Sequence, residues 1–266
     1  MLAPTTACDV VLGIHTVSYQ TSDGRPPAPD AVSGALACAV LHSSDMDEDG
    51  DGVADGSDNC PTVSNPPFPS TAPQLDSDLD NVGDACDPNP GVHDTRRILD
   101  LFHAPLKSLS NNWGAQTCWQ SCGDGVQCTD PSGTYHGLDW AGTQVAVASW
   151  HMIVNFQIVS SNSMFEFDAS ACGNPRCVIY IDNFATDPTG SGNMAQSTPL
   201  SFSDGAVGQI RLDMTTNDLM CSLTLDGAGP VAPTIVSFAQ PMTGTCEPEF
   251  FVAGGSVAIL NVVVYD

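Results

Sequence analysis

Basic residues are scarce in this sequence. Its 266 residues include six Lys and Arg against 31 Asp and Glu, which gives a formal net charge of −25. Proteins hold nucleic acids mainly through phosphate contacts from Lys and Arg, so the composition argues against a nucleic-acid partner. An anionic membrane surface is disfavoured for the same reason. The natural counter-charge for such a chain is a divalent cation.

Three other features are missing. No stretch approaches the ~20 consecutive apolar residues that a transmembrane helix needs. No C-x-x-C pair occurs among the 11 cysteines, which argues against zinc or haem attachment and favours disulfides formed in an oxidising compartment. No N-x-S/T sequon occurs and Lys107 is the only lysine, a composition that weakly favours a bacterial source.

Residues 1–44 are predicted to form a short N-terminal segment with one or two strands and a disulfide between Cys8 and Cys38. The first seven residues are too short for a signal peptide and lack a basic region, so export would require a targeting sequence that was removed or lies upstream. Lipidation of Cys8 is the competing interpretation. Ala7 suits a lipoprotein cleavage site, although Thr5 replaces the usual Leu.

Acidic residues are concentrated in the next segment, 45–90. Residues 45–87 contain eleven Asp and one Glu without a single Lys or Arg, a charge density that would keep an uncompensated chain expanded. The acids recur at the offsets from which an EF-hand-type loop supplies oxygen ligands to calcium. Two or more ions are therefore expected. The predicted ligands are Asp47, Asp49, Asp51, Val53, Asp55, Asp58, Asp76, Asp78, Asp80, Val82, Asp84 and Asp87.

The residue types within each loop suit this role. Val53 and Val82 would bind through their backbone carbonyls, and Asp58 and Asp87 would close the loops. Gly52 permits the left-handed conformation that the sixth loop position needs, and Asn81 tolerates it best after glycine. The connector between the loops is rich in proline and is predicted to be extended.

The strings DEDGDGVADGSDNCP and DSDLDNVGDACD resemble the first and second halves of a thrombospondin type 3 repeat. The resemblance implies a segment that wraps calcium with little hydrophobic core, and a disulfide between Cys60 and Cys86. Two departures stand out, because Asn81 replaces a glycine and the Pro-rich connector is longer than usual. Folding is expected to be coupled to metal binding, so that calcium converts a floppy tether into a stiff spacer.

Residues 91–266 change to short β-rich runs separated by Gly, Asn, Asp and Pro. This pattern predicts an all-β, jelly-roll or lectin-like β-sandwich. One short helix is expected over 98–109, interrupted at Pro105. The order of an acidic repeat followed by a β-rich domain resembles thrombospondins, in which type 3 repeats lead into a lectin-like β-sandwich. The closing GGSVAILNVVVYD resembles the last strand of concanavalin-A-like or laminin-G-like jelly rolls. The candidate strands are 144–148, 151–159, 164–168, 177–181, 209–214, 220–225, 234–238 and 256–265.

No catalytic residue is predicted. Glu166 and Asp168 begin the E-x-D-x-x-E pattern of jelly-roll glycosidases, but Ala171 stands in the third position. Glu247 or Glu249 would supply the missing carboxylate only if the fold brought them close. A degenerate glycosidase is therefore the weakest of the functional alternatives.

Exposed aromatics with nearby Asp and Asn are typical of carbohydrate sites. The candidates for ligand binding are Trp113, Trp119, Tyr135, Trp140, Asp182 and Asn183. The aromatic residues are equally well explained as side chains that cap one end of the sandwich core. Asp182 and Asn183 are also ordinary turn residues.

For the other cysteines, a local bridge is expected between Cys172 and Cys177, and an inter-strand bridge between Cys221 and Cys246. Two of the three cysteines at 118, 122 and 128 are expected to pair with each other. The third would be free, or would pair with Cys38 if Cys8 carries a lipid.

Together these patterns predict an exported, non-enzymatic, calcium-binding protein with a structural or adhesive role at the cell surface or in the extracellular matrix. A carbohydrate-binding lectin-like module is the first alternative. A self-assembling filament or surface-layer subunit is the second. The expected partners are calcium and either a glycan, an extracellular protein or further copies of the chain.

Overall fold

Fifteen strands and no helix make up the regular structure of the described residues. The computed structural model describes residues 47, 49–87, 89–100, 102, 113–115, 118–122, 125–140, 142, 145–146, 149–171, 175–189, 194–226 and 231–266. All of them fall within one compact unit that spans Leu36–Asp266. The predicted N-terminal segment with Cys8 and Cys38 lies outside the described residues, and the domain boundaries at 44 and 90 stay predictions.

The strands begin after the acidic segment and continue to the last residues. Their bounds are β1 Arg96–Asp100, β2 Trp113–Ala115, β3 Gln120–Cys122, β4 Gly125–Asp130, β5 His136–Trp140, β6 Val145–Ala146, β7 Ser149–Ala171, β8 Arg176–Tyr180, β9 Asn183–Asp187, β10 Gln196–Pro199, β11 Val207–Thr215, β12 Asp218–Leu225, β13 Thr234–Ser237, β14 Thr245–Cys246 and β15 Pro248–Tyr265.

Two long antiparallel strands, β7 and β15, organise the sandwich. They pair with each other from Pro248↔Ala171 to Tyr265↔His151, with register shifts near the middle. On its other side, the first half of β7 pairs with β11 and the second half pairs with β8. The same two strands therefore run through both layers. One layer continues through β11, β12 and β13, and the other through β8, β9 and β10.

The core lies between these layers. In the first half of β7 the core-facing residues are even-numbered, such as Trp150 and Met152, whereas in the second half they are odd-numbered, such as Phe165 and Phe167. This change of parity accompanies the irregular pairing, because one extra residue reverses the faces of a strand. A disulfide between Cys177 of β8 and Cys221 of β12 links the two layers covalently.

The all-β sandwich predicted from the sequence is confirmed. Most candidate strands are present, and those predicted at 151–159 and 164–168 are parts of the single strand β7. The helix predicted over 98–109 is wrong at its start, because Ile98–Asp100 belong to β1 and pair with Val262–Val264. Pairing with an apolar strand outweighs the local preference. Residues 101 and 103–109 lie outside the described residues.

The disulfide pairings were predicted only in part. The structure contains Cys60–Cys86, as the resemblance implied, and a local bridge joins Cys118 to Cys128. The bridges Cys172–Cys177 and Cys221–Cys246 are wrong, because Cys177 and Cys221 bond to each other. Their strands lie in opposite layers and face the same core, a juxtaposition that sequence proximity does not reveal. Cys122 and Cys246 are also disulfide-bonded, so the expectation that the third cysteine of the group at 118, 122 and 128 could be free is wrong. Cys172 itself lies outside the described residues.

Candidate calcium site

Two clusters of carboxylates mark the acidic repeat. Asp47, Asp49 and Asp51 form the first, and Asp76, Asp78 and Asp80 form the second. Within each cluster, one carboxylate oxygen per residue lies within 4.8 Å of the others. Oxygen-only sets of this kind suit calcium, a hard cation that binds carboxylates and carbonyls at 2.3–2.6 Å.

The two loops share one backbone arrangement. Asp47 accepts hydrogen bonds from the amides of Asp51 and Gly52 at 3.2 and 3.0 Å. Asp76, at the same loop position, accepts from the amides of Asp80 and Asn81 at 3.3 and 3.0 Å. Each first Asp therefore organises its own loop, as the repeated spacing predicts.

Left-handed residues turn both loops. The sixth positions, Gly52 and Asn81, have φ values of +91° and +71°, as expected from their residue types. The fourth positions are also left-handed, with φ of +71° at Gly50 and +66° at Leu79. A leucine at such a position is strained, and this strain was not predicted.

The raised pKa values of carboxyl groups in the two loops indicate that a cation would stabilise the loops. Burial raises the pKa of Asp49 to about 7, and the carboxylates of Asp51 and Asp58 add to the effect. Burial likewise raises the pKa of Asp87 to about 6, with further contributions from Asp94 and Asp80. Crowded carboxylates of this kind are stabilised in their ionised form when a metal lies between them.

Buried carboxylate oxygens without a hydrogen-bond partner also indicate a cation site. Buried polar atoms normally have a hydrogen-bond partner, but four carboxylate oxygens in and beside the two loops, named below, make no hydrogen bond. A bound cation would satisfy such atoms, so the residues present fit calcium. The four atoms are Asp49 Oδ2, Asp78 Oδ1, Asp87 Oδ2 and Asp94 Oδ2.

Other predicted ligands are placed differently. The closing Asp58 accepts hydrogen bonds from the amide of Cys60 at 2.7 Å and from Gln74 Nε2 at 2.8 Å. Asp84 accepts from the amide and the hydroxyl of Ser77 at 2.7 and 2.6 Å, and Asp55 is buried. The roles of these residues, and of the Val53 and Val82 carbonyls, as ligands stay predictions.

Three residues that the sequence reasoning missed, Asn65, Gln74 and Asp94, also contact the loop carboxylates. Gln74 Nε2, at the end of the Pro-rich connector, donates to both Asp51 and Asp58. Asp94 donates its amide to Asp80, as Asn65 donates its amide to Asp51, and both pairs are 14 residues apart. The sequence contained a signal for Asn65 and Asp94, because each lies 14 residues after the Asp at the fifth position of its own loop.

The repeat packs against the outside of the sandwich. Cys60, Val82 and Cys86 form a buried cluster with the sheet residues Ile153 and Tyr265, and all five are at most 2% exposed. At ~1.5–3 kcal/mol for each fully buried large apolar side chain, such a contact contributes several kcal/mol. The repeat therefore forms a layer on the sheet, in addition to any role as a spacer.

Polar contacts hold the same interface. Asn155 of β7 donates to the carbonyl of Thr62 at 3.5 Å, and the guanidinium of Arg96 donates to the carbonyl of Asp58 at 3.5 Å. Thr95, next to Asp94, exchanges two backbone hydrogen bonds with Asp266 at 2.7 and 3.1 Å. The second loop thus leads directly into the pairing between β1 and β15.

The close approach of the two loops requires a glycine. A Cβ on Gly83 would lie 2.2 Å from Asn59 Oδ1 and 2.7 Å from Cys60 Sγ. The amide of Gly83 donates to the carbonyl of Asn59 at 3.1 Å. Gly83 therefore lets the second loop lie directly against the Cys60–Cys86 disulfide.

The predicted carbohydrate residues do not form one exposed site. Trp119 is 5% exposed and packs in the core, so its prediction as a ligand platform is wrong. Trp140 is half-buried against the same core and pairs through its backbone with Trp113, whose side chain lies outside the described part. Tyr135 is exposed and donates to Glu166. Asp182 and Asn183 share a hydrogen bond at 2.6 Å at the start of β9.

A separate acidic group lies on the second layer. Asp168 of β7 is fully buried and pairs with Arg176 of β8, whose guanidinium also faces Asp187 at 3.8 Å. Burial raises the pKa of Asp168, and Arg176 opposes the rise.

Glu249 of β15 lies opposite Ser170, and burial together with Asp139 and Glu247 raises its pKa to about 7. The fold thus brings Glu249 to the strand that carries Asp168.

The acidic repeat and the β-sandwich each resemble known proteins. Residues 37–67 match the family model of the thrombospondin type 3 repeat. The structure is similar to the basic winged bean lectin in complex with Tn-antigen, with 11% identity, a TM-score of 0.50, and coverage of 65% of this chain and 98% of the lectin. No curated protein sequence matches the chain significantly.

Two further solved structures have similar but lower scores. Lectin II from Ulex europaeus shares 11% identity over 64% of this chain and 97% of its own, with a TM-score of 0.49. The VIP36 exoplasmic/lumenal domain, bound to Ca2+ and Man3GlcNAc, shares 10% identity over 63% of this chain and 89% of its own, with a TM-score of 0.49.

The chain therefore combines a thrombospondin type 3 repeat with a lectin-like β-sandwich. The matched part of the repeat includes the first acidic loop and ends before the second. The described part of the chain contains no helix with the length and apolarity needed to cross a bilayer.

Proposed function

We propose that this chain is an exported structural or adhesive protein whose acidic repeat binds at least two calcium ions. The bound calcium fixes the repeat onto the sandwich. The first ion would be held by Asp47, Asp49 and Asp51, and the second by the corresponding acids at 76, 78 and 80. Bound calcium supplies positive charge that offsets the crowded carboxylates. The disulfides support a role in an oxidising, extracellular compartment.

One observation carries the structural role. The Cys60–Cys86 disulfide and Val82 are buried against Ile153, Val263 and Tyr265 of the sandwich. Because the loop disulfide and Val82 pack directly on these sheet residues, ordering of the loops by calcium is expected to stabilise the sandwich as well as the repeat.

A calcium titration of thermal unfolding tests this role. We expect a calcium-dependent rise in the unfolding temperature of the sandwich, followed by near-UV circular dichroism, because a ligand that binds only the folded state stabilises it. Asp49→Asn and Asp78→Asn should each weaken the response, whereas Asp226→Asn, at an exposed turn after β12, serves as the matched control. A calcium-independent sandwich transition would contradict the proposal.

Carbohydrate binding is the second candidate, supported by the lectin-like fold. The winged bean lectin that shares this fold was crystallised with Tn-antigen. Among the aromatic side chains of the predicted set that the structure describes, Tyr135 is the exposed one, and it donates to Glu166. A glycan array probed in calcium tests the idea. Binding that Tyr135→Ala abolishes would favour the lectin role, and an array without signal would leave the structural role as the better proposal.

A further inference from the structure

The repeat carries an unusual share of exposed apolar surface. The four most exposed large apolar side chains among the described residues are Phe68 at 95%, Leu79 at 79%, Leu75 at 69% and Val92 at 64%. All four lie in or beside the acidic repeat, although the sandwich is far larger. Single exposed apolar residues are common on proteins, but a concentration in one small module marks an interaction surface.

Three of these side chains, those of Phe68, Leu75 and Leu79, border two adjoining grooves. The first, of about 490 Å³, is lined mainly by Pro66, Phe68, Pro73, Leu75 and Ala85. The second, of about 410 Å³, includes Leu79, and Pro73 lines both. We name the residues Pro66, Phe68, Pro73, Leu75 and Leu79 the Phe68 patch. The grooves give an incoming apolar side chain a place to be buried.

The patch is held in shape by its sequence. Prolines at 66, 67 and 69 fix the backbone on both sides of Phe68, so little conformational entropy remains to be lost on binding. Leu79 has a left-handed backbone, at the position where the first loop has Gly50. Its strain is not repaid by burial, because the side chain points into solvent. Strain of this kind is a feature of functional positions.

Charge identifies the kind of partner. Residues 45–87 contain twelve acids and no base, and two calcium ions would offset only four of those charges. Asp84 lines the first groove and Asp76 the second. A second copy of this chain, with its net charge of −25, would be repelled, as would an anionic membrane. A basic protein surface is complementary to the patch.

We propose that the Phe68 patch is the docking site for a basic amphipathic segment of another protein. The apolar side chains of that segment occupy the groove beside Phe68 and Leu75. Its Lys and Arg side chains face the surrounding carboxylates of the repeat. The interaction requires both components, because the groove supplies apolar contact and the acids supply orientation and rapid association.

Fluorescence anisotropy with designed probes tests the proposal on the full chain in calcium. The probe is a labelled amphipathic peptide of Leu and Lys, and two matched peptides carry Ser in place of Leu or Glu in place of Lys. We expect the Leu/Lys peptide to bind, and each replacement to weaken binding by about tenfold or more. Phe68→Ser with Leu75→Ser should weaken it similarly. Ile235→Ser, which removes a half-exposed side chain from β13, should leave it unchanged.

Several outcomes would overturn the proposal. Equal binding of the Ser/Lys peptide would show that charge alone attracts the probe. Unchanged affinity in the Phe68→Ser/Leu75→Ser variant would show that the patch is not the site. Light scattering that reveals a dimer of the chain, lost in the same variant, would assign the patch to self-association instead. The side chains of Phe68 and Leu75 have no oxygen that could bind calcium. The peptide-binding results are therefore independent of the calcium titration.

Discussion

Replacing Asp94 by Asn should have opposite effects with and without calcium. Asp94 is 6% exposed, its Oδ2 atom has no partner, and its carboxyl contributes to the raised pKa of Asp87. In chelator the substitution removes one like charge from a crowded site. Two unit charges 4–5 Å apart repel by about 3–4 kcal/mol at an effective dielectric constant of 20, and partial protonation of Asp87 reduces the gain to about 1 kcal/mol.

In saturating calcium the same substitution is expected to remove a charged ligand, because the unpartnered Oδ2 atom of Asp94 lies beside the second loop. Ligand charge tunes calcium affinity, and a tenfold loss corresponds to ~1.4 kcal/mol of stability when calcium is in excess. Urea denaturation, followed by tryptophan fluorescence in calcium and in chelator, gives both values. Asp226→Asn, which lies at an exposed turn outside the repeat, should show no change of sign. If Asp94→Asn destabilised the protein equally in both buffers, Asp94 would be a structural residue and not a calcium ligand.

Two predictions concern the second layer of the sandwich. Arg176→Met should destabilise the fold by ~3–5 kcal/mol in urea denaturation, because it leaves the fully buried Asp168 without its cation, and adding Asp168→Asn should recover part of the loss. A full loss retained in the double variant would show that Arg176 acts through packing alone. Glu249 has a pKa raised to about 7, so its stabilising contribution is complete below about pH 4.5 and is lost as the pH rises through about 7. Glu249→Gln should therefore stabilise the protein at pH 8 by about 1 kcal/mol, after allowance for solvent screening, and should have little effect at pH 4.5. An equal effect at both pH values in urea denaturation would contradict this assignment.

Local pattern predicted the strands well, because alternation and turn residues act within a few residues of each other. It did not predict that β7 and β15 each span both layers. That arrangement depends on shifts of register between two strands about 100 residues apart, which single-strand periodicity does not contain. The wrong disulfides have the same origin, since Cys177 and Cys221 meet across the core.

The calcium loops were predictable because their ligand spacing is local. Asp94 was missed because it follows the second loop, beyond the twelve positions of the motif. The burial of Trp119 was missed for another reason, because an aromatic residue in a Gly-rich stretch suits a core and a ligand site equally. The packing of the repeat on the sheet involves Val82 and Ile153, which are unremarkable in sequence and become informative only together.

The position of β15 in the chain has a consequence for how the protein is made. This strand pairs with β1, β4, β5 and β7, all of which precede it in sequence. During synthesis those strands emerge before their shared partner, so their edges on that side stay unpaired until β15 follows. The acidic loops and the Cys60–Cys86 bridge are local and emerge before any of these strands. A nascent chain is therefore expected to acquire its calcium module early and its sandwich last, with slow folding typical of long-range pairing.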